Sequence, residues 1–384
     1  MKNKKIAIIT SGHSPFDERI YWKFGLSLSK NNFIVNIFCS TEVITKNENN
    51  ISVIGFSSKK INKWDKIAKF ILLLKSFSPD IIICCEPLTI LPAFLYKIFT
   101  NRKCKIISDI TEWYPENVAF KFTGIKKYFI YIPLFLLNIF LTNLAGALII
   151  GELTKKKRYN IISPFKKKVI IGYYPVLSFF NFAPPKFDGE NLTLCYAGLV
   201  NFTRGILQLL EIAKKLSEKH SALKIKVKIL GNFSSGKEEK IFTELLPNYQ
   251  DIIIEKIDRT DYKNMSQVIG NADICFDLRI NNFIYNNSLP IKIFEYMACG
   301  KPFIFSDIKP IRKELDIINC GFLVNPNNGQ EIIEKIELYL NDKELLLSHS
   351  KNGRTIIESG KNWEKESEKL IVFLNQLCNS KQQT

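Results

Sequence analysis

The chain has 384 residues, of which 46% are hydrophobic, and its 54 basic and 37 acidic side chains give a net charge of +17. This length allows two domains of ordinary size, and the apolar content excludes an intrinsically disordered protein. The nine cysteines include no Cys-x-x-Cys pair, which argues against a zinc site. No cleavable apolar segment follows the start Met-Lys-Asn-Lys-Lys, so we expect a reduced, cytoplasmic protein.

Apolar, strand-like runs alternate with helical stretches along the first half of the chain. The runs are residues 5–10, 33–39, 51–56, 80–85, 105–109 and 145–150. This alternation predicts a parallel sheet with helices on both faces. Open parallel sheets bind ligands in the loops at the carboxyl ends of their strands.

The loop after the first strand carries candidate ligand-binding side chains, His13, Asp17 and Arg19. His13 is one of three histidines in the chain and the only one in such a loop. One alternative is a surface histidine without a role. Another is that Asp17 and Arg19 pair with each other and cap the helix that begins there.

The loop after the fifth strand reads Asp109-Ile-Thr-Glu-Trp-Tyr-Pro-Glu116. Glu112 beside Trp113 suits a sugar, because aromatic rings pack on sugar faces while carboxylates hold hydroxyl groups. The alternative is a loop that is anchored in the core by a buried Trp113.

Residues 128–150 contain no charge and are long enough to span a membrane. Because residues 145–150 are typical of a strand, we divide the stretch into a helix over 125–143 and that strand. Between residues 121 and 170, ten basic residues stand against one acid, Glu152. The helix is therefore either a buried core helix or one that dips into an anionic membrane interface, with a complete span as the third alternative.

The second half repeats the alternation with runs at 192–197, 224–230, 251–255, 272–277, 302–306 and 320–324. Two such series predict two Rossmann-like domains joined by a hinge. We expect a first domain over 1–172, a linker over 173–190, a second domain over 191–355 and a C-terminal segment over 356–384. Residues 341–379 have a helical pattern with an apolar side formed by Trp363, Leu370, Phe373, Leu374 and Leu377.

A phosphate-binding arrangement is predicted at the start of the second domain. A strand ends at Gly198, and Arg204 opens the following helix, so the backbone can approach a ligand that the guanidinium neutralises. The alternative for Arg204 is a solvated surface residue. Gly231 ends the next strand and is a weaker candidate for the same site.

The segment from Asn287 to Pro302 predicts a helix from Pro290 to Ala298, with Asn287 and Ser288 as possible caps. Lys292 and Glu295 lie one turn apart on one face of this helix. An open helix amino end attracts phosphate, and a carboxylate further along can hold ribose hydroxyls.

This segment resembles the signature of the retaining glycosyltransferases of the GT-B fold, glycosyltransferase family 4. That signature has two glutamates separated by seven residues, the second in Glu-Tyr-Met-Ala and followed by Gly-Lys-Pro. Glu295 matches the second glutamate, and Asn287 stands at the first. Arg204 matches a basic residue that holds the donor diphosphate, whereas Leu199 stands where a second one is usual.

The first domain resembles the family more loosely. Residues 13–20 are similar to a His-x-Pro-x-Asp-x-Arg-Ile opening, and Thr111 stands where members often have a histidine. The resemblance implies two Rossmann-like domains that face a central cleft, with a C-terminal helix that crosses back to the first domain.

The resemblance also implies roles for individual residues. Arg204 and Lys292 would stabilise the leaving diphosphate, Glu295 would hold the ribose, and Asn287 would meet the donor sugar. The remaining donor-site positions are Gly198, Gly231, Ser288 and Leu289, and the acceptor-site positions are His13, Asp17, Glu112 and Trp113. No Asp-x-Asp motif is present, so we expect no metal and no cofactor besides the donor substrate.

The sequence therefore predicts transfer of a sugar from a nucleotide-diphosphate donor to a glycan or lipid-linked acceptor, in surface-polysaccharide synthesis. Peripheral contact with an anionic membrane is an expected interaction, and nucleic acid is not an expected partner. The alternatives are a sugar-nucleotide epimerase and a GT-B subunit that binds without turnover. The departures at Asn287, Leu199 and Thr111 keep the second of these alternatives open.

Overall fold

A computed structural model describes residues 3–315 and 319–379. The chain forms two compact units. Unit 1 comprises the described residues up to Tyr173 together with those from Glu364 onwards, and unit 2 runs from Tyr174 to Trp363. Each unit has one sheet flanked by helices, so the prediction of two parallel-sheet, Rossmann-like domains is confirmed.

The sheet of unit 1 has eight strands in the order β3-β4-β2-β1-β5-β6-β7-β8. Their bounds are β1 Lys5–Thr10, β2 Ile34–Cys39, β3 Ile44–Glu48, β4 Ile51–Gly55, β5 Ile81–Cys84, β6 Lys105–Ile110, β7 Ala147–Ile150 and β8 Lys167–Ile170. Strands β1, β5, β6 and β7 are parallel neighbours at the centre, and their apolar side chains are almost completely buried.

Both edge strands of this sheet were missed by the sequence analysis. β3 pairs with β4 in antiparallel orientation, so the expectation of a purely parallel sheet is wrong at this edge. Asn49 and Asn50 make the hairpin turn with φ of 54° and 61°, a conformation that asparagine tolerates better than most residues. At the opposite edge, β8 pairs in parallel with β7.

The helices of unit 1 follow their strands. They are a π-helix over Glu18–Gly25 that continues as α1 Leu26–Lys30, then α2 Lys63–Phe77, α3 Ile90–Phe99, α4 Glu116–Ala119, α5 Gly124–Leu144 and α6 Leu153–Ile162, with a 3₁₀ turn at Pro87–Thr89. Local signals fix their ends. Asn62 accepts hydrogen bonds from the backbone N–H groups of Trp64 and Asp65 at the start of α2, and Ser78 closes α2 in the left-handed conformation.

The helix predicted over 125–143 is present as α5, but it is not a buried core helix. Only Asn138, Leu141 and Thr142 are buried, and the remaining side is open. By length and composition α5 is the one helix among the described residues that could cross a membrane. The reading of this segment as a core helix is therefore wrong.

The sheet of unit 2 has six parallel strands in the order β11-β10-β9-β12-β13-β14. Their bounds are β9 Asn191–Ala197, β10 Lys224–Leu230, β11 Ile253–Ile257, β12 Ile274–Asp277, β13 Phe303–Ser306 and β14 Gly321–Val324. The order steps outward from β9 in both directions, which is the doubly wound arrangement. All six predicted strands are confirmed to within two residues at each end.

The helices of unit 2 pack on both faces of its sheet. They are α7 Ile206–Lys219, α8 Gly236–Leu245, α9 Met265–Ile269, α10 Phe283–Asn287, α11 Ile291–Ala298, α12 Lys309–Glu314, α13 Gly329–Asn341 and α14 Lys343–Ser359, with 3₁₀ turns at Leu177–Phe179, Phe202–Arg204, Leu246–Tyr249 and Tyr262–Asn264.

The final helix, α15, covers Trp363–Asn379 and belongs to unit 1 from Glu364 onwards. Its five predicted apolar residues are all buried. Glu366 accepts a hydrogen bond from the backbone N–H of Gly172 at 2.7 Å, within the same unit. The predicted return of the C-terminal helix to the first domain is therefore confirmed, while residues 380–384 of the predicted segment lie outside the described residues.

Candidate functional site

Two glycines form the floor of the candidate site in unit 2. Gly198 follows β9 with a φ of 154°, and Gly231 follows β10 with a φ of 138°. A Cβ atom on Gly231 would overlap the carbonyl oxygen of Gly198. Only glycine permits this approach, which leaves bare backbone at the carboxyl edge of the sheet.

Arg204 lies beside this floor. The Asn201 side chain accepts a hydrogen bond from the backbone N–H of Thr203 at 2.7 Å, and Gly205 closes the turn with a φ of 78°. A Cβ atom on Gly198 would lie 3.5 Å from the Arg204 Nη1 atom. The guanidinium therefore lies within van der Waals distance of the Gly198 position.

The environment of Arg204 keeps its side chain charged. Burial lowers the pKa of Arg204, but the Tyr196 hydroxyl and the Asp277 carboxylate together raise it above its ordinary value. Arg204 is half-buried, and its Cζ atom lies 6.0 Å from the centre of the Tyr285 ring. It is therefore not the freely solvated residue that the alternative reading proposed.

A second arginine at this site was missed by the sequence analysis. Arg279 follows β12, and its Nε atom donates to Asp277 Oδ1 at 2.8 Å while a second nitrogen donates to Oδ2. Both side chains are buried, and the Arg279 Cζ atom lies 5.0 Å from the Tyr285 ring centre. The available signal was an Asp-Leu-Arg run at the carboxyl end of the strand predicted over 272–277.

The segment before α11 differs from the prediction. Asn282 accepts a hydrogen bond from the backbone N–H of Tyr285 and begins α10, a short helix that the sequence analysis did not anticipate. Asn287 is the last residue of α10, and its amide nitrogen donates to the Phe283 carbonyl oxygen at 2.8 Å. It is therefore not a cap of the following helix.

The start of α11 is formed by a proline. Pro290 is the N-cap residue, and α11 begins at Ile291, one residue later than predicted. Ser288 and Leu289 form the link from α10 and are half-buried. Ser288 does not cap the helix either, since Pro290 occupies that position. The first turn of α11 contains no acidic residue that would compete with an anion.

Lys292 and Glu295 form an ion pair on α11, with 2.6 Å between Nζ and Oε2. Glu295 is completely buried, and Lys292 is mostly buried. The next residue, Tyr296, accepts a hydrogen bond from the backbone N–H of Ala197 at 2.8 Å. This bond ties α11 to the end of β9, so the pair is held against the same strand that leads into Gly198.

The charges of the unit 2 site do not cancel. The two carboxylates each pair with a neighbouring cation, Asp277 with Arg279 and Glu295 with Lys292. Within the described ranges, Arg204 forms no ion pair. One fixed positive charge is thus available beside exposed backbone, an arrangement suited to a phosphate or diphosphate.

In unit 1, the loop with His13 is held by Glu86, which the sequence analysis did not single out. The Glu86 carboxylate accepts hydrogen bonds from the Thr10 hydroxyl at 2.6 Å and from the backbone N–H groups of Ser11 and Gly12 at 2.9 and 3.0 Å. His13 Nε2 lies 3.7 Å from the same carboxylate, and the ring is partly exposed. His13 is therefore held at the carboxyl end of β1.

Asp17 and Arg19 do not form a side-chain pair. Asp17 accepts a hydrogen bond from the backbone N–H of Arg19 at 2.9 Å and so caps the π-helix. The Arg19 guanidinium instead donates twice to Asp109, at 2.7 Å each, and lies 4.1 Å from the Tyr173 ring centre. Burial lowers the pKa of Arg19, but Asp109 and Tyr173 together raise it, so this buried guanidinium stays charged.

Trp113 is buried, as the core-anchored alternative expects, while its predicted place in an acceptor site stays a prediction. Its ring contacts the guanidinium of Arg158, whose Cζ atom lies 4.6 Å from the ring centre, and Arg158 pairs with buried Glu116. Glu112 is exposed and accepts a hydrogen bond from Asn117, so its carboxylate is accessible to a ligand.

Comparisons with known proteins agree with this architecture. Residues 179–356 match the family described as glycosyl transferases group 1. A curated protein of Haemophilus influenzae, named as an uncharacterized glycosyltransferase, is 26% identical over 175 residues, which are 44% of this chain and 45% of that protein. The match thus spans less than half of the relative's length.

Two solved structures superpose over nearly the whole chain. Sucrose-phosphate synthase of Thermosynechococcus elongatus superposes with a TM-score of 0.77 at 15% identity. The alignment covers 98% of this chain and 100% of the synthase chain. HepE of Anabaena, in complex with UDP-glucose, superposes with a TM-score of 0.72 at 11% identity. The alignment covers 97% of this chain and 99% of the HepE chain. At such identities the likeness shows the fold, which is that of the GT-B glycosyltransferases.

Proposed function

From a group 1 glycosyl transferase match over residues 179–356 on a GT-B fold, we propose that this protein is a retaining glycosyltransferase. It transfers a sugar from a nucleotide-diphosphate donor to a glycan or lipid-linked acceptor during the synthesis of a surface polysaccharide. Retention of configuration is proposed from the likeness of residues 287–302 to the signature of family 4.

The observation that carries the proposal is the half-buried guanidinium of Arg204 beside the bare backbone of Gly198. An arginine held in this way offers planar, bidentate recognition of a phosphate group. Arg279 and Lys292 are further cations of the site, and each is paired with a neighbouring carboxylate.

The transfer reaction depends mainly on stabilising the nucleotide diphosphate as it leaves. As the bond from the anomeric carbon to the diphosphate breaks, negative charge grows on the diphosphate oxygens, and fixed cations lower the energy of that state. Arg204 and the amino end of α11 supply this stabilisation, and Lys292 brings a further positive charge to the first turn of that helix. We propose that this set acts without a metal ion.

The buried Glu295 carboxylate is proposed to hold the ribose hydroxyls when the nucleotide displaces part of its contact with Lys292. Asn287 and the backbone N–H groups of Ser288 and Leu289 would meet the donor sugar. In unit 1, His13 and Glu112 are proposed to bind the acceptor, with Asp17 fixing the loop that carries His13. Nine free cysteines are consistent with a cytoplasmic location for the reaction.

The donor site is tested by thermal unfolding of the full chain with UDP, GDP, ADP, TDP or CMP, each with EDTA and with Mg²⁺. A ligand at about one hundred times its dissociation constant adds about 2.7 kcal/mol, which raises the midpoint of a unit of this size by roughly 5–10 °C. We expect one diphosphate to act with or without Mg²⁺. Arg204→Gln and Glu295→Ala should abolish the shift.

Arg312→Gln is the matched control, because Arg312 is an exposed arginine of unit 2 that pairs with Asp307. This variant should keep the full shift. A donor site formed by Arg204 is refuted if no diphosphate acts, or if Arg204→Gln responds like the wild type. Once the base is known, transfer to acceptors is measured with the matching sugar nucleotides, and binding without any transfer would favour the non-catalytic subunit.

A further inference from the structure

The outer face of α5 is an uncovered apolar surface. Its exposed side chains recur at helical spacing on one side of the helix and are Ile125, Tyr128, Phe129, Ile132, Leu136 and Phe140. Phe129 is 72% exposed and Ile125 is 73% exposed. Soluble monomers rarely expose a contiguous patch of this kind without a binding role. We call these six side chains the α5 face.

The carboxyl-terminal part of α5 is packed against unit 1. Asn138 donates a hydrogen bond to the hydroxyl of Tyr159 on α6, and buried Leu141 packs into the core of the unit. α5 connects β6 to β7, which are parallel neighbours in the sheet. Because both ends lead into neighbouring strands of one sheet and the carboxyl-terminal part is packed, α5 lies against unit 1 along its length.

Neighbouring residues extend the α5 face. Asn143 near the end of α5 donates to the Ile162 carbonyl oxygen at 2.8 Å, which brings the end of α6 alongside. Ile161 is 79% exposed there, and Phe165 is 97% exposed shortly after it. The apolar surface therefore continues from α5 past the end of α6.

The basic residues between 121 and 170 greatly outnumber the acids of this stretch. Two of the ten basic residues between 121 and 170 form ion pairs, Lys155 with Glu152 and Arg158 with Glu116. The other eight are lysines, Lys121, Lys126, Lys127, Lys156, Lys157, Lys166, Lys167 and Lys168. In the part of the chain that the structure describes, none of these eight pairs with a carboxylate. Glu152, the single acid of this stretch, forms its ion pair with Lys155.

We propose that the α5 face docks on the surface of an anionic lipid bilayer. A helix that lies in the interface plane buries its apolar side at the boundary of headgroups and acyl chains, while lysines beside it attract anionic headgroups. Tyr128, with an apolar ring and a polar tip, suits the same depth. The proposal rests on unit 1 alone and does not depend on the donor chemistry of unit 2.

The test is flotation of the full chain with vesicles of phosphatidylcholine alone or with phosphatidylglycerol added. We expect binding only to the anionic vesicles, weakened strongly as NaCl rises from about 50 mM to about 500 mM. The double substitution Phe129→Asp with Ile132→Asp should lower the bound fraction at least about tenfold. Lys126→Glu with Lys157→Glu should also lower it and flatten the salt dependence.

Trp64→Asp with Leu72→Asp is the matched control, because both residues are exposed apolar side chains of α2 in the same unit. This variant should bind like the wild type. The proposal is overturned if the wild type does not float with anionic vesicles, or if the α5 variant floats as well as the control. A concentration-dependent dimer that Phe129→Asp with Ile132→Asp dissolves would show that a second copy covers the face instead, which also overturns it.

Discussion

The buried pair of Arg19 and Asp109 is expected to be a major determinant of the stability of unit 1. Its two hydrogen bonds measure 2.7 Å, and the side chains are only 4% and 2% exposed. The substitution Asp109→Asn keeps the shape of the side chain but removes its charge. It leaves the Arg19 guanidinium buried between the rings of Phe24 and Tyr173 without a counter-charge.

The burial of this ion pair determines how much stability Asp109→Asn removes from unit 1. Removing one partner of a buried ion pair costs about 3–5 kcal/mol, since the remaining charge stays desolvated. By contrast, Asp17→Ala removes only a helix cap and should cost about 0.5–2 kcal/mol. Replacing both members of the pair, as Arg19→Met with Asp109→Leu, should restore most of the stability.

Hydrogen exchange is the suitable measurement, because a chain of two units need not unfold in one step. Asp109→Asn should lower the protection of amides in β1 and β6 by about two to four orders of magnitude. Amides of β9 in unit 2 serve as an internal control and should change much less.

The reasoning would fail if Asp17→Ala lowered protection in unit 1 as much as Asp109→Asn does. That result would mean that Arg19 depends on Asp17, as the sequence alone allowed. It would fail equally if the double variant were less protected than Asp109→Asn, because a desolvated lone charge could then not be the cause of the loss.

Two further predictions concern unit 2. Tyr296→Phe leaves the backbone N–H of Ala197 without its 2.8 Å hydrogen bond, so it should lower the free energy of unfolding by about 1–3 kcal/mol and weaken nucleotide binding. Thermal unfolding measures the first effect and a nucleotide titration the second, and an unchanged unfolding midpoint would contradict the prediction. Burial lowers the pKa of His349 below its ordinary 6.5, so the unfolded chain binds more protons below that pH. The free energy of unfolding should therefore fall as the pH drops below about 6.5, and His349→Gln should reduce this slope in acid titrations followed by circular dichroism; equal slopes would refute it.

The strands that could be predicted from the sequence are those with an apolar run, which include the edge strands β11 and β14. All twelve predicted runs correspond to strands. β3 and β8 were missed because an edge strand can form without an apolar run. Ile44–Glu48 is mostly polar and exposed, and Lys167–Ile170 begins with two lysines.

The candidate site was only partly predictable for a different reason. Gly198 and Arg204 were found because a glycine after a strand and a basic residue at a helix start are local signals. Arg279 was missed because its role depends on Asp277 and on the ring of Tyr285, which the fold brings together. The predicted caps of α11, Asn287 and Ser288, were wrong because α10 ends at Asn287 and Pro290 is the N-cap residue.

Burial of single residues was the least predictable property. Trp113 and the α5 face are both strongly apolar in sequence, yet the fold buries the first and exposes the second. Composition gives the hydrophobicity of a segment, but the neighbouring elements decide which side of it is covered.

The return of α15 to unit 1 also sets an order of assembly during synthesis. Residues 174–363 leave the ribosome as one uninterrupted stretch, so unit 2 can complete its core before α15 exists. The core of unit 1 is completed only after unit 2 has been made, because Leu370 and Leu374 of α15 are buried in unit 1. A nascent chain that has not yet reached α15 therefore lacks part of the core of its first unit, although every strand of that unit has already been made.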